Sequence, residues 1–582
     1  MAEIFNITDL PLIPLEHIFT FLTPSDRRIC SLVSKQFHDV WMAKKFSSDR
    51  WLCFDGCVIE KNTPPMSVLM KSERAYQNLY FDNIKLIDNE LWDKLGETVT
   101  CVKIGFDARY NSETFISFFP SLLCKFKVLK KIDINLLTLQ TFNFANQNID
   151  MLFTNIEEII LHHVKDDWVH HNILKFMPKL KNLEMHRVFV NNSTLDLIKK
   201  YEKILTYLEI DFGLSSDGHI PENPPKKISD NQILQVSGKS IKILKIRIGF
   251  RKIDLFVEKL NENFPQLEAL HIETEYTFPT YQLEKLKSIR IYSYREHETI
   301  DQLKIFPNLK HLELHYGQDP SNCFIGHKHF QMETLEILKI ATYFDNHLPC
   351  SQCFNTVIRS FPNLTCFESG DYIQTENLEN MKKSMPKLRF LSFSPRITIS
   401  KIINFELSLS SSFSNLNTLE VENPFELGNV RNCPVLPFLR KLSLRIKNEN
   451  LNNNDICELI EKMPSLENLK LIDCSHQKPY DLSKFFDTVA KHCKRLLNFE
   501  SWLNGYDKNT SLEIIQTLAI NCEFIKTIRL YTKLHEFKTS TFEEEYLAKI
   551  FKDRTSLRQI HVFGQALITS ILLNKSIEKE QK

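Results

Sequence analysis

The stretch Pro178-Lys179-Leu180-Lys181-Asn182-Leu183-Glu184-Met185 holds the pattern that decides the fold. Its apolar side chains follow the order L-x-x-L-x-L, with a methionine in the last place. Because side chains alternate along a strand, Leu183 and Met185 should face one side and Glu184 the other. The same pattern, again opening with proline, recurs at 265–272, 307–314, 386–393 and 464–471. Each copy therefore predicts a short strand with one buried face.

Weaker copies extend this pattern over most of the chain. With them we count 19 units from Tyr76 to Leu557, with a mean spacing of about 27 residues. Between the strands, apolar residues three and four apart predict helices at 193–203, 253–264, 454–463, 482–493 and 543–552. A single strand and helix cannot bury their apolar faces, whereas a stack of such units forms one elongated core. The sequence therefore predicts an α/β repeat fold.

The repeat resembles that of leucine-rich-repeat proteins, whose period is about 20 to 29 residues. The resemblance implies a solenoid with parallel strands on the concave side and helices on the convex side. We place this solenoid at 76–564, after a connecting or capping segment at 46–75. A C-terminal cap and tail follow at 565–582.

The first 45 residues follow a different pattern, which predicts two or three short amphipathic helices. Their apolar residues fall on common helical faces, with Leu15, Ile18, Phe19 and Leu22 on one helix and Ile29, Leu32, Val33 and Phe37 on another. A segment of about forty residues is marginal as an independent fold. Its surplus apolar surface is therefore expected to meet a partner or the end of the repeats.

This segment resembles an F-box, which usually reads Leu-Pro, Leu, Ile-Phe-x-x-Leu, Asp and a Val-Cys-Lys-x-Trp-like stretch. These places are taken without an insertion by Leu10-Pro11, Leu15, Ile18-Phe19, Leu22, Asp26 and Val33-Ser34-Lys35-Gln36-Phe37. The chain departs from the usual form at Ile13, Pro14, Ser34 and Phe37. The resemblance implies a predicted small N-terminal α-helical F-box over residues 1–45.

In F-box proteins the apolar helical face binds a Skp-family adaptor, which connects to a cullin-RING ligase. The resemblance therefore implies adaptor contacts at Leu10, Pro11, Leu15, Ile18, Phe19, Leu22 and Val33. For Leu22 and Val33 the alternative, of similar weight, is that they only hold the motif's own helices together. Together with the repeats, the motif implies a non-catalytic substrate-recognition subunit of a ubiquitin ligase. A repeat scaffold whose degenerate F-box no longer engages the adaptor is the second hypothesis, and an enzyme is the third.

Composition favours a folded protein partner. The 73 Lys and Arg against 72 Asp and Glu give a net charge of +1, which supplies no field that attracts nucleic acid or an anionic membrane. Apolar runs fall short of the roughly 18 to 20 residues of a membrane span. Glu3 and Asp9 disfavour a signal peptide, and the 14 scattered cysteines lack a disulfide framework. We expect a protein with reduced thiols in the cytoplasm or the nucleus.

The polar positions between the last two apolar residues of each unit should form the substrate-facing side of the sheet. They include Asp133, Glu184, Glu209, Lys245, His271, Arg290, Glu313, Lys339, Glu368, Glu420, Lys470, Glu500, Arg529 and His561. Their mixed signs suit a folded protein or a peptide and disfavour a phosphate-tracking stripe. The sequence names no individual substrate residue. The irregular segment 211–230 is either a recognition loop or a tolerated insertion.

Chemistry-bearing motifs are scarce. Cys350 and Cys353 form a lone C-x-x-C without a second pair at zinc spacing. The pairs His162-His163 and His170-His171 are explained more simply as exposed histidines than as metal ligands. We find no phosphate-binding glycine loop and no hydrolase or metalloprotease motif. We therefore expect neither a catalytic residue, nor a metal, nor a cofactor.

Overall fold

The structure is a computed structural model of the chain. It describes residues 12–20, 22, 27–28, 30–31, 34–43, 46, 50–54, 69–72, 76–81, 89–105, 125–135, 153–162, 177–186, 196, 198–211, 236–252, 258–275, 281–293, 300–316, 330–342, 351–370, 380–381, 383–393, 403–405, 415–427, 435–446, 453–473, 482–502, 508–531, 559–564 and 567–571. The chain divides into two compact units. Unit 1 comprises residues 1–274 with 575–582, and unit 2 comprises residues 275–574.

Unit 1 starts with a helical pair and continues as a sheet. Its helices are α1 (Leu12–Thr20), α2 (Lys35–Met42), α3 (Asn89–Gly96) and the short α4 (Leu260–Asn263). Its strands are β1 (Trp51–Phe54), β2 (Asn78–Phe81), β3 (Cys101–Ile104), β4 (Lys131–Asn135), β5 (Glu158–His162), β6 (Asn182–His186), β7 (Tyr207–Asp211), β8 (Ile243–Lys252) and β9 (Ala269–Glu275). From β1 to β8 each strand pairs with the next in parallel.

Unit 2 also consists of strands with helices between them. It contains a 3-10 helix (Ile300–Ile305) and the helices α5 (Ser351–Ser360), α6 (Asn453–Glu461), α7 (Leu482–His492) and α8 (Lys508–Asn521). Its strands are β10 (Ser288–Ser293), β11 (His311–Tyr316), β12 (Ile337–Thr342), β13 (Cys366–Ser369), β14 (Phe390–Phe393), β15 (Ile403–Phe405), β16 (Thr418–Leu427), β17 (Lys441–Ile446), β18 (Asn468–Asp473), β19 (Asn498–Trp502), β20 (Thr527–Tyr531), β21 (Gln559–Gly564) and β22 (Leu567–Ile571).

Strand pairing in unit 2 is parallel except at its end. The parallel series runs from β10 to β14, continues directly from β14 to β16, and then runs to β21. Strand β15 pairs with the far part of β16, and β22 turns back to pair antiparallel with β21. Each unit thus has the α/β leucine-rich-repeat architecture, as the sequence predicted.

The alternation of buried and polar side chains confirms the reading of the repeat. In β6, Leu183 and Met185 are 1% and 0% exposed, whereas the side chain of Glu184 between them is 21% exposed. Helices cover the apolar side of the strands, as where the Phe486 ring of α7 meets the Phe499 ring of β19 with centroids 5.5 Å apart. We call the opposite side, which carries the charged residues, the polar face.

A recurring asparagine, which the sequence pattern did not predict, stabilises the turns before the strands. The side-chain amides of Asn155, Asn308, Asn363 and Asn415 each donate to a backbone carbonyl 24 to 30 residues earlier, over 2.8 to 3.0 Å. Each asparagine stands directly before the first apolar residue of its repeat. These bonds join successive turns by pairing carbonyls that the strand ladder does not use. The signal that could have revealed them is the repeated Asn before Leu or Ile.

Some helices and strands of the structure were not predicted from the sequence. Strand β1 lies within the segment 46–75, before the first of the 19 repeats counted from the sequence. Helices α5 and α8 were not predicted, although Ile514, Ile515 and Leu518 of α8 have helical spacing and are buried. Of the predicted helices, 454–463 and 482–493 match α6 and α7 closely. The helix predicted at 253–264 appears as α4 alone within the described part of that range, and 543–552 lies outside the described residues.

Candidate protein-binding surfaces

The N-terminal helical pair has a small core of its own. Leu15 and Phe19 of α1 pack with Phe37 and Val40 of α2, and Phe46 completes the cluster. The rings of Phe19 and Phe37 meet edge to face with centroids 5.6 Å apart. Such an edge-to-face pair adds about 0.5 to 1.5 kcal/mol beyond its area of burial. All four departures from the usual F-box form lie among the described residues, and two of them, Phe37 and Ser34, have structural roles in α2.

Polar contacts fix the ends of the two helices. The Ser34 hydroxyl caps α2 by accepting the backbone N–H of Phe37 at 3.1 Å, as expected of serine at this position. The Arg27 guanidinium donates to the carbonyl oxygens of Phe19 at 3.2 Å and Leu22 at 2.7 Å. It also lies 5.0 Å from the centre of the Phe46 ring. These bonds attach Arg27 to the last turn of α1 and to Leu22 just beyond it.

Apolar side chains are exposed on the first turn of α1. Leu12 is 49% exposed and Ile13 is 81% exposed, while Ile18 and Leu22 lie partly buried at the edge of the core. Burial of an isoleucine side chain exposed to this degree would be favourable, because its apolar surface would leave water. We call Leu12 and Ile13 the apolar edge.

The predicted adaptor contacts are distributed unevenly in the structure. Ile18 and Leu22 are partly exposed, whereas Leu15 and Phe19 are 0% and 1% exposed in the helical core. A direct contact through these two side chains requires the helices to separate, so in the free chain they support the apolar edge from below. Their role as contacts stays a prediction. Leu10, Pro11 and Val33 lie outside the described residues.

Arg50 connects the helical pair to the sheet of unit 1. The residue is buried, and its guanidinium donates to the carbonyl oxygen of Trp41 at 2.6 Å while lying 5.6 Å from that indole ring. Its own carbonyl oxygen accepts a bond from the side-chain amide of Asn78 at 3.4 Å. Because Arg50 directly precedes β1 and Asn78 begins β2, these bonds hold the end of α2 against the first two strands.

On the polar face of unit 1, charged residues and histidines form one cluster. The two ring nitrogens of His186 lie 3.2 Å from Glu184 Oε2 and 3.4 Å from Glu209 Oε1. The Lys245 ammonium and the Tyr207 hydroxyl donate to the other oxygen of Glu209, at 2.9 and 2.5 Å. Parallel pairing of β6, β7 and β8 brings these side chains together from three repeats.

The pKa values within this cluster shift as its contacts require. The hydrogen bond to Glu184 raises the pKa of His186, against burial, and Glu209 raises it further. Burial alone would raise the pKa of Glu209, but bonds from Tyr207 and Lys245 outweigh it and hold that pKa below its ordinary value. An imidazole with a carboxylate at each nitrogen is suited to hold a proton, because both nitrogens then donate.

The same residues are the one group of possible metal ligands among those the structure describes. One potential ligand atom from each of Glu184, His186 and Glu209 lies within 4.8 Å of the others. However, Lys245 and Tyr207 already bond Glu209, and each imidazole nitrogen faces a carboxylate. We therefore interpret the group as a network of ion pairs. Of the other sites considered from sequence, His162 lies in β5 and Cys353 in α5, whereas Cys350, His163, His170 and His171 lie outside the described residues.

The polar face of unit 2 is a series of ion pairs between neighbouring strands. Arg290 lies 3.0 Å from Glu313, Lys339 lies 3.0 Å from Glu368, and Lys441 lies 2.6 Å from Glu420. The first two pairs stand directly across neighbouring strands and the third is diagonal. Opposite charges so placed neutralise each other. This confirms the mixed signs expected from the sequence.

Near the end of unit 2 the polar face also carries exposed aromatic surface. The rings of Trp502 in β19 and Tyr531 in β20 stack with centroids 3.8 Å apart and planes inclined at 21°. Ile472 of β18 stands in register with Trp502. Trp502 is 42% exposed, although it lies within a sheet. We call Ile472, Trp502 and Tyr531 the aromatic shelf.

Comparison with known proteins identifies the first module. Residues 7–48 match the family model of the F-box domain. No curated protein matches the chain. Among solved structures, the crystal structure of a TLR13–ssRNA13 complex is similar at 10% sequence identity and a TM-score of 0.43, over 84% of this chain and 82% of that chain. The chain therefore contains an F-box domain at residues 7–48, and the leucine-rich-repeat fold described above follows it.

None of the helices in the described part of the chain combines the length and apolar character needed to cross a membrane.

Proposed function

We propose that this chain is the substrate-recognition subunit of an SCF-type (Skp adaptor, cullin, F-box) E3 ubiquitin ligase. The observation that supports this most is the F-box match at 7–48, on a helical pair that exposes an apolar edge. The repeats supply a second surface for a protein substrate. Such a receptor would act in the cytoplasm or the nucleus.

In this proposal the adaptor covers the apolar edge and the residues beside it. Leu12 and Ile13 join the contacts that the F-box resemblance implies at Leu10, Pro11, Ile18, Leu22 and Val33. Leu15 and Phe19 would act mainly by holding the helices in place. Burying exposed apolar side chains in a groove of the adaptor provides the main free energy of binding, since such anchors dominate interfaces.

Ubiquitin transfer by such an assembly depends on proximity and requires no catalytic group in this chain. The receptor holds the substrate near the ubiquitin-charged enzyme of the ligase and raises its effective concentration. Arg50 contributes by fixing the adaptor-binding helices to the first strands.

The alternative is a protein-interaction scaffold whose degenerate F-box does not engage the adaptor. The departure at Ile13 bears on this choice, because that residue is the most exposed large apolar side chain among those described. If it is a contact, an apolar residue at this position strengthens the interface. If it is not, the exposed isoleucine has no structural purpose within the helical pair.

Co-purification of the full chain with a Skp-family adaptor separates these functions. The test variant is Ile13→Asp, which puts a charge on the apolar edge without disturbing the core under it. We expect wild-type protein to retain the adaptor and Ile13→Asp to reduce retention at least about tenfold. A double change, Leu12→Asp with Ile13→Asp, should abolish it.

Val435→Asp is the matched control, because Val435 is a 59% exposed apolar residue in unit 2. It should retain the adaptor like wild type. Leu15→Asp should also lose the adaptor, but with a fall in stability that Ile13→Asp does not show. Failure of the wild-type chain to retain the adaptor would favour the scaffold.

A further inference from the structure

The aromatic shelf has a fixed geometry. The indole N–H of Trp502 donates to Glu500 Oε1 at 3.1 Å, and its ring lies against Tyr531 at 3.8 Å. One hydrogen bond and one stacking contact therefore set the orientation of the indole before any partner arrives. A side chain held in this way loses little conformational entropy on binding, which favours a binding hot spot.

The residues beside the shelf carry a net positive charge. Glu500 lies 3.3 Å from Lys470 and 3.6 Å from Arg529, which occupy the same register position on the two flanking strands. One carboxylate thus faces two cations. The Lys470 and Arg529 side chains are 34% and 43% exposed, whereas that of Glu500 is 19% exposed. The local excess of charge available to a ligand is positive.

The spacing between the two features matches an extended peptide. Trp502 stands two residues beyond Glu500 on the same strand, so the shelf lies about 6.6 Å from the row of Lys470, Glu500 and Arg529. In an extended peptide, side chains at positions i and i+2 face the same side at that same spacing of about 6.6 Å. An apolar residue on the shelf would place a residue two positions away over the cations.

We propose that the aromatic shelf and the adjoining cations bind an extended segment of the substrate protein that contains an apolar or aromatic residue and an acidic residue two positions apart. The inference rests on the proposed role of the repeats in holding a protein substrate, and it names the chemistry of that substrate. The apolar residue covers Trp502 and Tyr531, and its acidic neighbour pairs with Lys470 and Arg529.

Single-stranded nucleic acid, which also combines stacking with negative charge, fits less well. A bound strand carries regularly spaced phosphates that require a continuous row of free cations. Here the cations are shared with Glu500, and the described strands from β11 to β16 also carry Glu313, Glu368 and Glu420 on the polar face. Lys470 and Arg529 can therefore pair with one carboxylate, whereas the described strands of the polar face carry no continuous row of free cations for phosphates.

A peptide array tests this inference on the full chain. The array contains every pair of amino acids at positions i and i+2 in an extended Gly/Ser host peptide, and binding of labelled protein is compared with binding of a single-stranded RNA. We expect the strongest signals from an apolar or aromatic residue paired with Asp or Glu. Trp502→Ala should weaken these signals at least about tenfold.

The matched control is Trp51→Ala, because Trp51 is 45% exposed on β1 of unit 1. It should leave the array pattern unchanged. Lys470→Glu should shift the preference at the second position from acidic to basic residues. Trp502→Phe, which keeps a stacking ring but loses the donor to Glu500, should retain part of the binding.

Three results would overturn the inference: an array without the apolar and acidic preference, a preference that survives Trp502→Ala, or an RNA signal that depends on Trp502 more than any peptide does. Adaptor retention, measured on the same protein samples, reports separately on the proposed function. A chain that holds the adaptor but shows no Trp502-dependent peptide binding would refute the shelf as a binding site and leave the receptor role intact.

Discussion

The imidazole rings of His162 and His186 lie nearly parallel on neighbouring strands, with centroids 4.7 Å apart and planes inclined at 16°. His162 Nε2 lies 3.2 Å from Asp133 Oδ1, and His186 lies between Glu184 and Glu209. Burial alone would raise the pKa of Asp133, but its contacts with His162 and Lys103 hold that pKa below its ordinary value. The polar face of unit 1 therefore depends on the protonation of a small number of buried and half-buried groups.

We predict that His186 contributes to stability most strongly at acidic pH. Its pKa is raised above the ordinary 6.5, first by the hydrogen bond to Glu184. Its contribution is fully present below about pH 6.5 and is lost as the pH rises through the raised value. Asp133, Glu184, Glu209 and Asp211 are the acidic groups around it, and His162, Lys103 and Lys245 are the basic ones. Denaturant unfolding of wild type and His186→Gln across this range should show a difference that shrinks towards alkaline pH.

His311 provides a control of opposite sign in unit 2. Burial first, and then Lys339 and Arg290, lower its pKa below the ordinary 6.5, although Glu313 opposes this. The folded state therefore favours neutral His311, and its contribution to stability is lost as the pH falls. The variant His311→Gln should gain stability relative to wild type at acidic pH. The same trend for both variants would contradict our account of the His186 cluster.

Truncation of a single strand residue should affect the repeat stack measurably. Leu183 is 1% exposed in the core of β6, so Leu183→Ala removes buried apolar surface and leaves a cavity. We expect a loss of about 2 to 5 kcal/mol in the free energy of unfolding, measured by chemical denaturation. Lys179→Ala, at an exposed position in the turn before this strand, should change stability by less than about 0.5 kcal/mol. Equal effects would place Leu183 outside the core.

Thiol reactivity should separate the described cysteines by burial. Burial raises the pKa of Cys493 to about 12 and that of Cys522 to about 11, so both should remain as unreactive thiols at neutral pH. Cys53 is exposed on β1. Brief alkylation of native protein, followed by mass spectrometry, should label Cys53 and leave Cys493 and Cys522 unlabelled until denaturant is added. Labelling of Cys493 in the native state would contradict its placement.

The repeat could be predicted from the sequence because the order of apolar and polar residues within each strand shows which side chains are buried. Leu183-Glu184-Met185 and its copies alternate as half-buried strands must, so the fold class followed from local periodicity. Strand β1 was not predicted because its residues Trp51-Leu52-Cys53-Phe54 do not alternate between apolar and polar. The antiparallel return of β22 onto β21 depends on how the chain ends its sheet, which the repeat period does not encode.

Contacts between repeats were harder to predict from sequence than the strands themselves. The stack of Trp502 on Tyr531 joins residues 29 positions apart in sequence, and the His186 cluster joins three strands. Both became visible only when the register of neighbouring strands was known. In the F-box, spacing identified Leu15 and Phe19 as important apolar residues. Only the packing of α1 on α2 showed that these residues form a core and that Leu12 and Ile13 are the exposed ones.

The most direct test of the account is calorimetric titration of a purified Skp-family adaptor into the full chain. We predict saturable binding of one adaptor per chain at micromolar or lower Kd, retained in Trp502→Ala and lost when residues 1–45 are deleted. Absence of heat at concentrations of about 10 µM, or binding that persists after that deletion, would contradict an adaptor-binding F-box and with it the proposed ligase role.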